Sequence, residues 1–303
     1  MSSIIISPWD DGLFTETAKL LRQSMPGYPF PDFLFREKLT GDPDFHPGLV
    51  FTSFEEDILT GFIMGVVRKR DSGPAGYVKL IGVRPGYERR GIGSRLLAEQ
   101  ENEMKRRGLR SLRLFESYPN YFMPGVDPAF AGAVSFFESA GYKKFNETSN
   151  LEVFLPAGGF AVEDDIQRLS LKGISIRKAQ PGDRSKIMYW LAVNFPEWKG
   201  EVAEAFRNDP ITLFIALHND TVIGFAGYEA NNRGTGWFGP MGTDIAFRGL
   251  SIGRVLLRLC LNSLQKDGFT KAVIPWVGPV KFYEQSAGAR IDKHFWRYEK
   301  ILN

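Results

Sequence analysis

Apolar positions along the chain keep two rhythms. Between Ile252 and Gln265 they recur at Ile252, Val255, Leu256, Leu259, Cys260 and Leu264. Steps of three and four residues place these on one face and predict an amphipathic helix. Gly91–Arg107 predicts another of the same kind. Elsewhere, short runs rich in β-branched and aromatic residues predict strands. In the first half these are Ile4–Ile6, Leu49–Ser53, Leu59–Val67, Tyr77–Val83, Ser111–Glu116, Lys143–Phe145 and Leu151–Leu155. Helices are predicted over Leu13–Gln23 and Ala131–Ala140. Asp71–Gly76 reads as a turn, and Pro26–Phe35 as a Pro- and aromatic-rich stretch. In the second half the order recurs. Strand Ile174–Arg177 is followed by helix Asp183–Val193, then by a hairpin of Thr212–Leu217 and Val222–Glu229 about His218–Thr221. Strand Trp237–Thr243 leads to helix Ile252–Gln265, strand Lys271–Trp276, short helix Val280–Ser286 and strand Phe295–Lys300.

The recurrence reaches individual residues. GVRPGYERRGIGSRLL at 82–97 returns 160 positions later as GTDIAFRGLSIGRVLL at 242–257. Gly82/Gly242, Ile92/Ile252, Gly93/Gly253, Leu96/Leu256 and Leu97/Leu257 match, and Tyr87 stands opposite Phe247. The chain is therefore expected to be a tandem repeat of one domain, with domains at 1–156 and 174–303. The intervening 157–173 holds a glycine pair and the acidic run Glu163–Asp165, and is expected to be a linker. Two later motifs, FFES at 136–139 and FYEQ at 282–285, are offset by only 146 positions. The first copy thus carries fourteen extra residues, which fall in the loop Tyr118–Ala131 with Tyr118, Tyr121 and Phe122. A long aromatic loop in a compact domain either serves function or packs as a lid.

Each matched segment reads as a strand end, a basic glycine-bearing turn and a helix start. A helix start leaves backbone N–H groups without partners and carries partial positive charge. Glycine lets the backbone approach an anion closely, and arginines add charge and forked donors. The two turns are candidate phosphate sites.

Composition narrows the remaining classes. The 303 residues include 38 basic and 35 acidic ones, a net charge of +3 that does not argue for nucleic acid or a membrane surface. No apolar run approaches the roughly 20 residues of a spanning helix. The start MSSIIISPWDD has no basic region and is not expected to be a signal peptide. One cysteine, Cys260, lies in a helical apolar pattern and is expected in a core, consistent with a cytoplasmic protein. His46, His218 and His294 are scattered and give no metal-ligand spacing.

The motifs resemble the GNAT superfamily of N-acetyltransferases, present twice. The family pattern is Arg/Gln-x-x-Gly-x-Gly/Ala after a strand ending V-x-P. The first copy has Val83-Arg84-Pro85 and Gly91-Ile92-Gly93; the second has Arg248 to Gly253. An aromatic pair before Glu and then Gly is similar to Phe136-Phe137-Glu138 with Gly141, and to Phe282-Tyr283-Glu284 with Gly288. The resemblance covers nearly the whole chain, and the tandem arrangement resembles the mycothiol-synthase type. It implies an α/β (α+β) fold of two GNAT-like domains, each a mixed, mostly antiparallel sheet flanked by helices. It also implies acetyl-coenzyme A (CoA) as donor, its pyrophosphate held by Arg248, Gly249, Leu250, Ser251, Ile252, Gly253 and Arg254. The matching residues of the first copy are Arg89, Arg90, Gly91, Ile92, Gly93 and Ser94. Met241 and Thr243, and in the first copy Ile81 and Val83, are the strand residues implied beside the pantetheine arm. The copies depart from the pattern in opposite ways: Glu88 replaces the Arg/Gln of the first, and Ser251 the first glycine of the second. Serine at positive φ costs on the order of 1 kcal/mol, and as a helix cap costs nothing.

Transfer to an amine poses two proton problems. An amine of pKa about 10.4 must become neutral, at a cost of roughly 4–5 kcal/mol near pH 7, and the departing thiolate must be protonated. Tyr283 stands where the family places a tyrosine acid, whereas the first copy has Phe137, which has no proton to give. Catalysis is therefore expected in the C-terminal half, with a binding or architectural role for the N-terminal half. Glu229 and Asp244 are candidate bases, and Trp237 and Phe238 candidate pocket walls. The acceptor is expected to be a primary amine of a small molecule or peptide, with no nucleic acid or membrane partner. A non-catalytic CoA sensor and an aminoacyl-transferring enzyme are the rival readings.

Overall fold

The computed structural model describes residues 4–70 and 73–302. The chain divides into two compact units, Met1–Thr148 with His294–Asn303, and Ser149–Lys293.

The first unit runs β1 (Ile4–Pro8), α1 (Phe14–Ser24), α2 (Asp32–Lys38), β2 (Val50–Glu55), β3 (Ile58–Arg70), β4 (Gly73–Val83), α3 (Ile92–Arg106), β5 (Ser111–Leu114), α4 (Ala131–Ser139) and the first part of β6 (Lys143–Phe154). Neighbouring strands β1 to β4 are antiparallel, and β4 pairs parallel with β5 over Gly76–Val78 and Leu112–Leu114. Helices cover both faces because the strands carry glycine where helices press closest. A Cβ on Gly82 would lie 2.5 Å from Ser24 Oγ of α1, and one on Gly61 would lie 2.7 Å from Leu96 of α3. Adjacent strand positions face opposite ways, so these helices lie on opposite faces.

The second unit repeats the plan: α5 (Glu163–Ser170), β7 (Ile174–Lys178), α6 (Arg184–Asn194), α7 (Lys199–Arg207), β8 (Leu213–His218), β9 (Thr221–Tyr228), β10 (Phe238–Thr243), α8 (Ile252–Lys266), β11 (Lys271–Ile274), α9 (Val280–Ala287) and the start of β12 (Arg290–Ile301). Strands β7 to β10 form an antiparallel sheet, and β11 pairs with the end of β6. Gly242 again allows close approach: a Cβ there would lie 2.8 Å from Phe195.

Several elements differ from the sequence expectation. Gly73–Gly76, read as part of a turn, pair with Val67–Arg70 as strand; Asp71 and Ser72 lie outside the described residues. Within 157–173, read as a linker, lies α5, and the segment docks along α8 of the second unit. Arg258 and Gln265 donate to the carbonyls of Ala161 and Ala157, and Asn262 bonds both Phe160 backbone groups. The last residues, counted with the second half, belong to the first unit. There β12 pairs with β5, and Phe295 and Tyr298 are fully buried in the first unit's core. Each copy ends in a strand of the same pattern, so periodicity does not reveal which neighbour that strand joins. The aromatic loop packs inward: Tyr121, Phe122 and Met123 are buried, and Phe122 meets Phe30 with ring centroids 4.6 Å apart. Cys260 is buried in the second unit's core.

Candidate active site

Both glycine turns take the same backbone path. Position 89/249 has positive φ in each copy (Arg89 +61°, Gly249 +80°), and so does 91/251 (Gly91 +80°, Ser251 +70°). Each copy thus keeps glycine at one left-handed position and forces a side chain into the other, at about 1 kcal/mol. Ser251 takes the strained form, with no capping hydrogen bond from its side chain. Gly91 offers none either. The first intrahelical bonds are Arg95 N–H to Gly91 and Val255 N–H to Ser251, at 3.0 and 3.1 Å. The N–H groups before them, at 92–94 and 252–254, have no partner within their helix and no side-chain cap. That is a cradle fitted to an anion.

The arginines differ between the turns. In the first, Arg89 is exposed and Arg90 pairs with Glu55. Ser94 is exposed; Glu88 accepts from Gly86 N–H at 2.6 Å and so turns back into its own loop. In the second, Arg248 is exposed, its Nε 3.4 Å from the Thr243 carbonyl. Arg254 is held by two bonds to Asp165, at 2.8 and 3.1 Å. Sequence reasoning missed Asp165, which the expected linker concealed. A Cβ on Gly253 or Gly93 would lie 3.4 Å from the ring of Phe282 or Phe136 respectively, so the later motif packs under the helix start in both copies. Ile92, Ile252 and Leu250 anchor the turns in the cores.

The strand before each turn opens at a bulge. In the first unit β4 parts from β5 beyond Val78, and the extra residue is Lys79. In the second unit Trp237, just before β10, makes an isolated parallel bridge to Val273 of β11, and β10 shifts register against β9 between Phe238 and Met241. The repeat places Gly239 opposite Lys79. Past each bulge, Ile81 and Val83, and Met241 and Thr243, stand half-buried along the opened strand. The Gly239-Pro240 pair inside a strand was the available signal for this bulge.

Tyr283 lies on α9, with only 9% of its surface exposed, its ring 6.2 Å from that of Phe238 just before the bulge. Burial pushes its hydroxyl up to about 12. Phe137 has the equivalent place in the first unit, at 5.0 Å from Phe136 as Tyr283 is from Phe282. Both candidate bases accept backbone N–H groups. Glu229 caps the β9–β10 loop through the N–H groups of Gly234 and Trp237. Asp244 caps a short turn through Ala246 N–H at 2.9 Å. Trp237 and Phe238 are both buried.

The Acetyltransferase (GNAT) family profile matches residues 14–142 and 176–289. The chain belongs to this acetyltransferase family. Membership gives acyl transfer from a CoA thioester as its general chemistry. Among solved structures it is similar to the tandem GNAT protein of the clavulanic acid biosynthesis pathway, at 15% identity, 99% coverage of each chain and TM-score 0.70. A GCN5-related N-acetyltransferase from Sphaerobacter thermophilus gives 15% identity, 99% and 96% coverage and TM-score 0.70. A fungal multi-domain GH3 β-N-acetylglucosaminidase with a glucosamine N-acetyltransferase region gives 18% identity and TM-score 0.77. The GNAT chain covers 99% of itself in that match but spans only 38% of the fungal protein. At these identities the likeness is one of fold. No curated protein matches the sequence. No helix among the described residues is long and apolar enough to cross a membrane, and among them no cluster of His, Cys, Asp and Glu could hold a metal ion.

Proposed function

We propose that the protein transfers an acetyl group from acetyl-CoA to a primary amine of a small molecule or peptide, and that the second unit carries the reaction. One asymmetry carries this reading. The second unit has a phenol packed against Phe238, just before a bulge occupied by glycine, whereas the first has Phe137 at the matching helix position and the buried Lys79 at the matching bulge. In the second unit the N–H groups at 252–254 and Arg248 would hold the diphosphate. Met241 and Thr243 would line the pantetheine, bringing the thioester to Gly239. Bound there, acetyl-CoA supplies the acyl group and a thiolate leaving group.

Tyr283 then holds a proton at Oη. Its hydroxyl, at about 12, stays protonated throughout the neutral range. A thiol near 8.5 is the stronger acid, so a lasting transfer to sulfur runs uphill. Tyr283 therefore works as a donor and relay: it stabilises the developing sulfur charge and recovers its proton from the acylated nitrogen. The amine proton ends on the thiol, and the balance closes. Glu229 and Asp244 accept backbone N–H groups, so the ammonium's proton would leave to water, helped by a desolvating site that lowers the amine's pKa.

The test is thioester consumption over a panel of primary amines, for the native chain and Tyr283→Phe. Such a donor is typically worth about 10²–10⁴-fold. A drop of that size with unchanged CoA affinity supports the role; equal rates remove Tyr283 from the mechanism. Tight CoA binding without acetylation of any amine would favour the sensor.

A further inference from the structure

We propose that Asp42 and Asn120 form a seat for a primary ammonium in the first unit, that Lys79 fills it, and that the filled seat closes this unit to any external amine. Calling the excluded ligand an acceptor rests on the acyl-transfer reading; the seat itself stands on its geometry.

Lys79 is the bulge residue, at the point where β4 and β5 part. Its side chain is fully buried. Nζ donates to the Asp42 carboxylate and, at 2.8 Å, to Asn120 Oδ1. Both acceptors are held from elsewhere. Arg68 donates to the two Asp42 oxygens at 2.5 and 2.6 Å and to the Ser117 carbonyl at 2.8 Å. Asn120 donates to the Glu37 carbonyl at 3.2 Å. The cup is thus built without the lysine, from the segment after α2 and the inserted loop after β5. A carboxylate and an amide oxygen, with no spare donor between them, suit a compact group with three N–H donors. In the second unit the same strand position is Gly239, at φ +118°, and a Cβ there would meet nothing within 4 Å. One copy is filled where the other is open.

Burial, aided by Arg68 and Lys38 and opposed by Asp42, pushes the Lys79 amine well below the ordinary lysine range.

The experiment removes the lysine and returns its side chain as a separate molecule. In the full chain carrying Lys79→Gly, n-butylammonium replaces the deleted atoms. The expected result is a saturable rise in Tm with n-butylammonium chloride. Sodium chloride or n-butanol should give no such rise. Neither the native chain, whose seat is taken, nor Lys79→Gly/Asp42→Asn should respond. If Lys79→Gly does not fold alone, refolding with n-butylammonium should recover it where n-butanol does not. A folded Lys79→Gly chain indifferent to the amine overturns the seat. So do an equal response of the native chain, and failure to refold with either additive. Acyl transfer by the second unit should be unchanged by Lys79→Gly. A native chain with no transferase activity would sink the functional reading and leave the amine-binding result to stand or fall on its own.

Discussion

The two units solve one backbone problem with opposite side chains. Each turn needs two left-handed residues, and each spends glycine on a different one: Gly91 beside a strained Arg89, Gly249 beside a strained Ser251. Each opened strand has a bulge, occupied by a buried ammonium in one unit and by glycine in the other. Each later helix carries a buried aromatic at the matching position, phenylalanine in one and tyrosine in the other. The comparison teaches that the fold preserves the anion cradle through backbone geometry, which tolerates substitution at about 1 kcal/mol a position. The side chains around that backbone are where the copies have separated.

The comparison breaks most severely at β12. Ending the chain at Lys293 removes Phe295 and Tyr298 from the first unit's core, with the Arg297–Glu116 and Lys300–Glu101 pairs. Limited proteolysis should then cut freely within 4–148 while 149–293 stays protected; equal protection of both would contradict the assignment of this strand.

Next comes the buried ion network, on which only the first unit depends. Asp42→Ala leaves Arg68 and Lys79 without their shared carboxylate and should destabilise the first unit by about 3–5 kcal/mol in urea titration. Burial raises the Asp42 carboxyl, but Lys79 and Arg68 outweigh it and hold it below the ordinary range. A depressed folded value contributes stability that is present in full above about pH 4, the unfolded value. That stability is lost as pH falls through the lower folded value. Asp42→Asn should flatten this acid limb, whereas an unchanged limb would assign it to other carboxyls.

Much of this was legible in the sequence because the repeat read itself. Periodicity located α8 and the strands flanking both turns, and the 160-residue offset aligned Arg89 with Gly249 and Gly91 with Ser251. The turn motif alone could not say which way Ser251 resolves its choice, since φ is a property of the folded path. Short helices without capping side chains, such as α2 and α7, left little signal. Helix α5 was hidden by charge, because the acidic run that reads as a solvated linker supplies Asp165. Strand exchange at β6 and β12 is a choice between distant partners, and local patterning does not encode it. The Lys79 cluster joins residues from β3, β4 and two loops, and no spacing in the chain announces it.

Smaller effects sharpen the turns. Ser251→Gly should stabilise the second unit, and Arg89→Gly the first, each by up to about 1 kcal/mol. Gly249→Ala and Gly91→Ala should cost as much, read as shifts in urea midpoint; no difference would mean these positions relax. Smallest is Asp165→Asn. It frees Arg254 from its carboxylate and should tighten CoA binding by about two- to five-fold, in line with the roughly 0.2–1 kcal/mol of an ion pair whose arginine remains partly exposed. Weaker binding in calorimetry would show that Asp165 instead positions Arg254 for the diphosphate.

The most direct measurement places a negative charge in each cradle in turn. A Cβ at Gly93 or Gly253 meets only ordinary contacts, 3.4 Å from a ring edge, and aspartate suits the first turn of a helix, so both variants should fold. Acetyl-CoA consumption with a responsive amine is then compared in Gly93→Asp and Gly253→Asp. Gly253→Asp should lose transfer by at least about a hundredfold while Gly93→Asp stays near the native rate. Loss in Gly93→Asp with activity kept in Gly253→Asp would contradict this, as would two fully active variants.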